Sequence, residues 1–154
     1  MANTFSVAAL DSSSDRSSFE SGVEPLDRYF RTQVSQDIKR RVTACFVASD
    51  ANGKIAGYYT LASASVLLAD LPEVVIKKLP RYPSVPAVRM GRLAVDQAFK
   101  GKGLGAALLA DALRRAATAE IAAYAFVVDA KDETASAFYA HHGFIQLPEQ
   151  PLFM

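Results

Sequence analysis

Apolar residues in the first half of the chain alternate between strand-like runs and a helix-like spacing. Residues 5–10 form an apolar run that predicts a first strand, and a polar, serine-rich stretch follows it. Across residues 23–39 apolar side chains recur every four positions, which predicts a helix with Pro25 near its start. The runs 42–49 and 55–63 flank an Asn-Gly pair, so they predict two strands joined as a β-hairpin.

In the second half the pattern predicts further helices and strands. Residues 70–79 predict a short helix, residues 122–128 a strand, and Asp132 the cap of a helix that runs to about His142. A last strand is expected to begin at residues 144–145. An irregular connection is expected where prolines cluster, at Pro80, Pro83 and Pro86.

The stretch 88–117 contains three signals in succession. Leu93-Ala94-Val95 predicts a strand, Lys100-Gly101-Lys102-Gly103-Leu104-Gly105 follows as a glycine-rich turn, and an amphipathic helix then begins. The expected apolar face of that helix consists of Leu104, Leu108, Leu109, Ala112, Leu113 and Ala116. From the order of elements we predict a mixed α/β (α+β) fold in one domain, residues 1–154, with a central mixed sheet flanked by helices.

Composition and charge set the scale of the protein. Its 154 residues suffice for one domain with a real core, and a net charge of +1 gives no global electrostatic case for a nucleic-acid or membrane partner. Cys45 is the one cysteine and lies in an apolar run, so we expect a buried core thiol. The chain shows neither the pattern of a secretory leader nor an apolar run of membrane-spanning length, so a cytoplasmic location is expected.

A strand, a glycine-rich turn and a helix N-terminus together predict an anion site. The first amides of a helix lack internal acceptors, and glycines let the backbone approach phosphate oxygens closely. The six residues Lys100–Gly105, called the glycine loop below, therefore favour a diphosphate ligand. They match neither the P-loop pattern nor the dinucleotide fingerprint. The alternative is a strand–helix turn in which glycine serves only tight packing.

The glycine loop resembles the acetyl-CoA signature of the GNAT N-acetyltransferases, Gln/Arg-x-x-Gly-x-Gly/Ala, with Lys100 in the first position. Three further blocks stand in the order of a GNAT domain: Gly57–Leu61, Arg92–Val95 and Ala137–Phe144. The resemblance implies acetyl-CoA as co-substrate, with no metal. It implies that the donor is bound by the backbone of Leu93, Ala94 and Val95 and by the loop residues Lys100, Gly101, Lys102, Gly103, Leu104, Gly105 and Ala106.

A narrower resemblance is to the GNAT toxins of bacterial toxin–antitoxin pairs. It rests on blocks spread along the chain: Phe19–Gly22 followed by Leu26-Asp27, the basic end of the first long helix, Gly57–Leu61, Leu79–Pro83 and Gly91–Asp96. The resemblance implies acetylation of the α-amine of aminoacyl-tRNA, a ribbon-helix-helix antitoxin as partner, and a homodimer. Because the family continues its last strand beyond the position of Met154 and adds a tail, the last strand is expected to be unusually short or truncated.

Acetyl transfer to an amine requires the leaving thiolate to be protonated, and the resemblance places Tyr139 at the general-acid position. On its own, a tyrosine on an apolar helix face is typical of a core residue. A main-chain N–H near Val95 is expected to polarise the carbonyl. No general base is evident, because His141 and His142 suit a helix end, and Asp129 and Glu133 suit a turn and a cap. An α-amine reacts partly without a base, since its pKa is near 8 and a neighbouring ester lowers it.

Local basic clusters are the candidate acceptor contacts on this nearly neutral chain, and ordinary solvated surface is the alternative. The cations expected to bind substrate are Lys39, Arg40, Lys77, Lys78, Arg81, Arg89 and Arg92. Three functions stay open: the aminoacyl-tRNA acetyltransferase, a GNAT enzyme for a small amine or protein N-terminus, and a catalytically silent acyl-CoA-binding protein. Tyr139 and the intact glycine loop argue against the last.

Overall fold

A five-stranded sheet organises the fold, and the computed structural model describes residues 5–11, 13–130 and 132–145. β1 pairs antiparallel with β2 and β2 with β3, whereas β4 and β5 run parallel, so the sheet is mixed as predicted. The spatial order equals the chain order: β1 (Ser6–Ala9), β2 (Ala44–Ser49), β3 (Ile55–Leu67), β4 (Ser84–Val95) and β5 (Ala125–Val128).

In the described part of the chain, five α-helices connect or follow the strands. They are α1 (Glu24–Thr32), α2 (Val34–Lys39), α3 (Glu73–Ile76), α4 (Leu104–Thr118) and α5 (Glu133–His141), with 3₁₀ turns at Leu68–Asp70 and Gln97–Phe99. Local sequence explains the ends of α1, because Pro25 lies in its first turn and Arg31 in its last. Asp132 caps α5, since its side chain accepts the Ala135 N–H.

The described residues form two compact units. The first contains residues 1–62 and 91–115, and the second contains residues 63–90 and 116–154. The first unit thus holds β1, β2, α1, α2 and most of α4, and the second holds α3, β5 and α5.

An aromatic cluster forms the core of the first unit. The rings of Phe30 and Tyr58 stack with centroids 4.3 Å apart, and Phe19 packs edge-on against both. Cys45 belongs to this core, which confirms the predicted buried thiol. Burial raises the pKa of that thiol to about 12, so it stays protonated and unreactive at neutral pH.

The second unit has a smaller aliphatic core. Its buried members are Val66, Val85, Ala87 and Val127, and the partly buried residues around them are Ala64, Leu68, Leu71, Leu79 and Ala125. The parallel pair β4–β5 supplies several of these side chains, with Ala87 opposite Ala125 in the register.

Several boundaries differ from the sequence predictions. The helix predicted over 23–39 is two helices, because Gln33 has φ −117° and lies outside the helical range. The helix predicted over 70–79 spans only Glu73–Ile76, after Pro72 as its N-cap. Leu113 was predicted on the apolar face of α4 but is exposed.

Two strand predictions also change. The connection at Pro80 and Pro83 is irregular as predicted, but Pro86 lies in β4, where its carbonyl accepts the Tyr124 N–H and its ring nitrogen needs no acceptor. β5 begins at Ala125, later than predicted. Residues 144–145 are not in a strand, and the rest of the expected last strand lies outside the described residues.

Candidate functional site

The glycine loop connects the 3₁₀ turn after β4 to the first turn of α4. Gly101 and Gly103 have φ of +81° and +76°, the left-handed region that favours glycine. A Cβ built at either residue would meet no atom within 4 Å. These two glycines therefore serve the backbone conformation of an open loop, and the alternative of tight packing does not apply to them.

The amides from Lys102 to Ala106 point to an anion site at the start of α4. The first helical hydrogen bond runs from the Ala107 N–H to the Gly103 carbonyl, at 3.1 Å. The N–H groups of residues 102–106 find no acceptor among the described residues. Several unpaired N–H groups beside a helix N-terminus suit a diphosphate, so the predicted loop residues fit the donor that the sequence implied.

Lys100 has a different immediate role from the one expected. Its Nζ donates to the Ser21 carbonyl at 2.7 Å, so its ammonium group ties the glycine loop to the segment before α1. Lys102 stays exposed, with its ammonium nitrogen 5.7 Å from the centroid of the Phe99 ring. Of the two loop lysines, Lys102 is thus the cation that the described residues leave available for phosphate.

Asp96 is a site residue that the sequence analysis did not assign. Only 5% of it is exposed, and its carboxylate accepts the Glu20 N–H at 3.0 Å and the Ala98 N–H at 2.9 Å. The second bond makes Asp96 the N-cap of the 3₁₀ turn that leads into the glycine loop. An aspartate directly between a strand and a glycine-rich loop was the available sequence signal.

Residues 19–22 hold the loop from the other side. Asp27 is buried and accepts both the N–H and the Oγ–H of Ser21, the latter at 2.6 Å. Gly22 has φ +92°, and a Cβ there would lie 2.4 Å from Gln97 Nε2. The Phe19–Gly22 block of the toxin resemblance is therefore a structural support for the glycine loop in this chain.

Gly57 lets β3 approach the strand and helix that frame the loop. A Cβ at Gly57 would lie 2.8 Å from Leu108 Cδ1 and 3.0 Å from the Ala94 carbonyl oxygen. The close approach requires glycine and fixes α4 against β3 and β4. Packing, rather than φ, thus explains the glycine of the Gly57–Leu61 block.

The C-terminal end of β4 presents backbone groups that an extended ligand could use. The Asp96 N–H donates to the Ala56 carbonyl at 2.8 Å, so the Val95 N–H, one residue earlier, points to the opposite edge of the strand. The described register of β5 along β4 ends at Met90. Leu93 and Val95 lie beyond that point, where their backbone can bind an added strand-like arm, whereas the carbonyl of Ala94 between them faces β3.

Tyr139 lies on α5 in the second unit. Only 4% of it is exposed, and its ring packs against Phe138 and Phe144. None of the described residues hydrogen-bonds to its hydroxyl.

Burial, with a smaller contribution from the charge of Asp129, raises the pKa of Tyr139 to about 12. The hydroxyl is therefore protonated throughout the physiological range. Proton transfer from such a hydroxyl to a thiolate whose conjugate acid has a pKa near 8.5 is uphill, so an acid role requires direct hydrogen bonding to the leaving sulfur.

The end of α5 holds its histidines at the surface. Gly143 has φ +93°, and the Phe144 N–H returns to the Tyr139 carbonyl at 3.1 Å, which closes the helix with a left-handed residue. His141 and His142 are exposed in this last turn. Both lie at the helix C-terminus, as the sequence suggested.

The predicted basic residues do not form one surface. Lys39 and Arg40 are exposed at the end of α2 in the first unit, whereas Lys77, Lys78 and Arg81 are exposed after α3 in the second. The remaining two are engaged by side chains. Arg89 Nε donates to Asp129 at 2.7 Å, and the Arg92 guanidinium lies 3.5 Å from the centroid of the Tyr29 ring.

This pairing corrects two interpretations. Asp129 was expected to be a turn residue, but it holds the Arg89 guanidinium through two nitrogens. Arg89 is thus already paired with a carboxylate, which weakens its candidacy as a phosphate contact. Glu133 lies in the first turn of α5, where an acidic residue favours the helix dipole.

No group of three or more His, Cys, Asp or Glu side chains in the described part of the chain could hold a metal ion. None of its helices is long and apolar enough to cross a membrane.

Comparison with known proteins decides the family. Residues 15–153 match the family described as "Acetyltransferase (GNAT) domain". The chain belongs to the GNAT acetyltransferases. The match spans residues of both compact units and includes the glycine loop and Tyr139.

Relatives of this GNAT chain include toxins. It is 37% identical over 147 residues to a "tRNA-acetylating toxin" of Mycobacterium tuberculosis, covering 94% of this chain and 87% of the relative. It also resembles AtaT complexed with acetyl-methionyl-tRNAfMet, with a TM-score of 0.87, 28% identity, and coverage of 98% of this chain and 94% of that one.

Two further solved structures show related assemblies. One is AtaTR bound with AcCoA, with a TM-score of 0.82, 28% identity, and coverage of 97% of this chain and 92% of that one. The other is a tyrosine-to-phenylalanine variant of the AtaT toxin bound to the C-terminus of the antitoxin AtaR. Its TM-score is 0.79 at 25% identity, with coverage of 97% of this chain and 90% of that one.

Proposed function

We propose that this chain transfers the acetyl group of acetyl-CoA to the α-amine of aminoacyl-tRNA and thereby blocks translation. The observation that carries the proposal is the 37% identity, over 94% of the chain, to a tRNA-acetylating toxin. The resemblance to AtaT in complex with acetyl-methionyl-tRNAfMet supports the same acceptor.

Donor binding is assigned to the backbone of the first unit. Acetyl-CoA supplies the acetyl group as an activated thioester. The amides of residues 102–106 bind its diphosphate, with Lys102 as the adjacent cation. Leu93 and Val95, on either side of Ala94, bind the pantetheine arm through strand-like hydrogen bonds, and the Val95 N–H is the donor that polarises the carbonyl.

Tyr139 holds the proton that the leaving sulfur requires. Its hydroxyl has no hydrogen-bond partner among the described residues, and its raised pKa of about 12 keeps it protonated. The acceptor amine attacks as the free base, which an aminoacyl ester provides in part near neutral pH because its pKa lies below about 8. The proton lost from the amine passes to solvent, so the reaction needs no dedicated base side chain.

The exposed cations provide affinity for the nucleic acid. Lys77, Lys78 and Arg81 take part in none of the ion pairs seen in the described residues, and Lys39 and Arg40 are likewise exposed and unpaired. Each neutralised phosphate releases counterions, so acetylation of tRNA should weaken steeply with salt. Acetylation of a small free amine makes few such contacts and should change much less.

The decisive assay offers labelled acetyl-CoA together with a pool of mixed charged tRNAs, in parallel with a panel of free amines and peptides. We expect label in the charged tRNA at low salt, and its loss on deacylation of the tRNA. Label that enters only free amines or peptide N-termini would overturn the proposal and establish the alternative GNAT enzyme. Alanine at Lys77, Lys78 and Arg81 together should raise the KM for tRNA and leave acetyl-CoA binding unchanged.

An antitoxin partner belongs to the same proposal. A related toxin is seen bound to its antitoxin AtaR, which supports an inhibitory protein partner for this chain. We further propose that the partner is of the ribbon-helix-helix class, that the enzyme is a homodimer, that all 154 residues act as one catalytic domain, and that it works on cytoplasmic tRNA. Co-purification with the product of a neighbouring gene and light scattering of the purified enzyme test the first two points.

A further inference from the structure

An exposed tyrosine stands beside three cations in the second unit. Tyr82 is 65% exposed, and the exposed residues Lys77, Lys78 and Arg81 precede it closely in the chain. Within the described ranges, Tyr82 makes no ring or cation–π contact, and the three cations form no ion pair. We propose that Tyr82 stacks on an unpaired base of the aminoacyl-tRNA 3′ end while these cations bind the adjoining phosphates.

The backbone around Tyr82 is held in place, although its side chain is not. Leu79 packs against the core of the second unit, and the Pro83 carbonyl accepts the Leu68 N–H at 2.9 Å. Pro80 and Pro83 restrict the backbone on both sides of the tyrosine. A ring presented on a fixed backbone loses little conformational entropy when it binds, which is the property of a stacking platform.

The positive charge of residues 77–82 favours a polyanion as the ligand. No acidic residue occurs between Glu73 and Asp96, so the cations beside Tyr82 have no carboxylate within their own segment. Aromatic rings stack on any base that is not already paired, and neighbouring cations follow the backbone of a single strand. The unpaired 3′ end that carries the aminoacyl ester satisfies both requirements, whereas a duplex offers only phosphates.

This inference rests on the proposed function and refines it. A stack at Tyr82 would position the 3′ end of the tRNA, which carries the aminoacyl ester, through its bases. This contact would not depend on the aminoacyl side chain. The alternative is that the exposed Tyr82 ring contacts a second copy of the chain. Leu67 and Val74, also exposed in this unit, make that outcome worth measuring.

The test compares Tyr82→Ala with Tyr82→Phe, which keeps the ring, and with Tyr124→Ala. Tyr124 is a matched control, because it is 51% exposed in the same unit and has no cation near it in sequence. Binding of a fluorescent single-stranded RNA and of a blunt RNA duplex is measured for each folded variant, apart from any acetyl transfer. The KM values for charged tRNA and for an aminoacyl ethyl ester are measured as well.

We expect Tyr82→Ala to weaken single-strand binding and to raise the KM for charged tRNA by roughly tenfold to a hundredfold, the loss of one stack. Duplex binding, the KM for the ester, and both control variants should stay as in the wild type. The salt dependence of RNA binding should not change in Tyr82→Ala, because a stack releases no counterion.

Equal single-strand binding by Tyr82→Ala and the wild type would overturn the stack. Conversion of a dimer to a monomer by Tyr82→Ala would overturn it too and would assign the ring to a subunit interface. If charged tRNA is not acetylated but single-strand binding still depends on Tyr82, the proposed function fails while the nucleic-acid contact stands.

Discussion

The glycine loop of the first unit and helix α5 of the second carry different kinds of chemistry. In the loop, main-chain N–H groups and two residues with positive φ form the candidate site, and the side chains around it serve to hold the backbone. On α5 the candidate group is the Tyr139 hydroxyl, and α5 itself is a regular helix with Asp132 as its N-cap. A backbone site depends on conformation, whereas a side-chain site depends on one atom.

This difference determines which substitutions are informative. Removing the Tyr139 hydroxyl should change the chemical step without altering the fold, because it has no hydrogen-bond partner among the described residues. Perturbing the loop should change donor binding, and so should changes at the residues that hold it: Asp96 just before the loop, and Ser21, which lies 79 residues from Lys100 in the chain.

The largest effect is expected at Tyr139. Tyr139→Phe should keep the fold and acetyl-CoA binding and lower turnover by roughly 10² to 10⁴, the range for a lost general acid. Single-turnover kinetics with charged tRNA, which report on the chemical step, provide the measurement. Near-normal turnover with chemistry rate-limiting would remove Tyr139 from the acid role.

Tyr58→Phe is the matched control. The Tyr58 hydroxyl is also on a buried ring but donates to the Leu26 carbonyl at 2.7 Å. Its removal should lower the free energy of unfolding by about 1 kcal/mol and spare turnover.

In the wild type, the rate of acetyl transfer should rise with pH as the α-amine loses its proton. It should not fall before about pH 11, because Tyr139, with its pKa raised to about 12, stays protonated below that.

The next effect is expected at Gly103. Gly103→Val should lower acetyl-CoA affinity by roughly 100-fold, because a branched side chain strains the positive φ and obstructs the amides that bind diphosphate. Isothermal titration calorimetry on the folded variant measures the change. Unchanged affinity in a folded variant would show that the loop does not bind the donor.

Gly53→Val controls for strain alone. Gly53 has φ +80° and, like Gly103, open space where a Cβ would be, but it lies in the β2–β3 turn. Both variants should therefore lose similar stability, about 1–3 kcal/mol. Only Gly103→Val should lose acetyl-CoA binding.

The smallest of these effects is expected at Asp96, which acts through the loop. Asp96→Ala should raise the KM for acetyl-CoA about tenfold and lower the free energy of unfolding by about 2–3 kcal/mol, since two N–H groups lose their acceptor. Asp96→Asn keeps one acceptor oxygen, so it should recover part of the acetyl-CoA affinity and part of the free energy of unfolding. The turnover number should change little, which distinguishes positioning of the donor from chemistry.

Asp15→Ala gives the comparison for an aspartate that caps an exposed turn. Its carboxylate accepts the Ser17 N–H and hydroxyl, far from the glycine loop in sequence. We expect Asp15→Ala to leave the KM for acetyl-CoA unchanged. An equal rise in KM for both aspartate variants would mean that general destabilisation, not the position of the loop, sets acetyl-CoA binding.

The sequence by itself determined the features encoded by neighbouring residues. The glycine loop was predictable because positive φ demands glycine at particular positions, and two of its three glycines, Gly101 and Gly103, lie in that region. The cap of α5 was predictable because an aspartate, Asp132, directly precedes the helix, and the burial of Cys45 was predictable because it lies in an apolar run. The order of blocks also sufficed to indicate the GNAT family, which the family match confirms.

Only the tertiary structure decided what each polar side chain meets. Asp96 meets Glu20 across 76 residues of chain, Lys100 meets Ser21 across 79, and Arg89 meets Asp129 across 40. Such contacts leave no periodic pattern, because one hydrogen bond constrains neither partner's neighbours. Lys100 and Arg89 were therefore both expected to bind phosphate, whereas folding commits the first to a carbonyl oxygen and the second to a carboxylate.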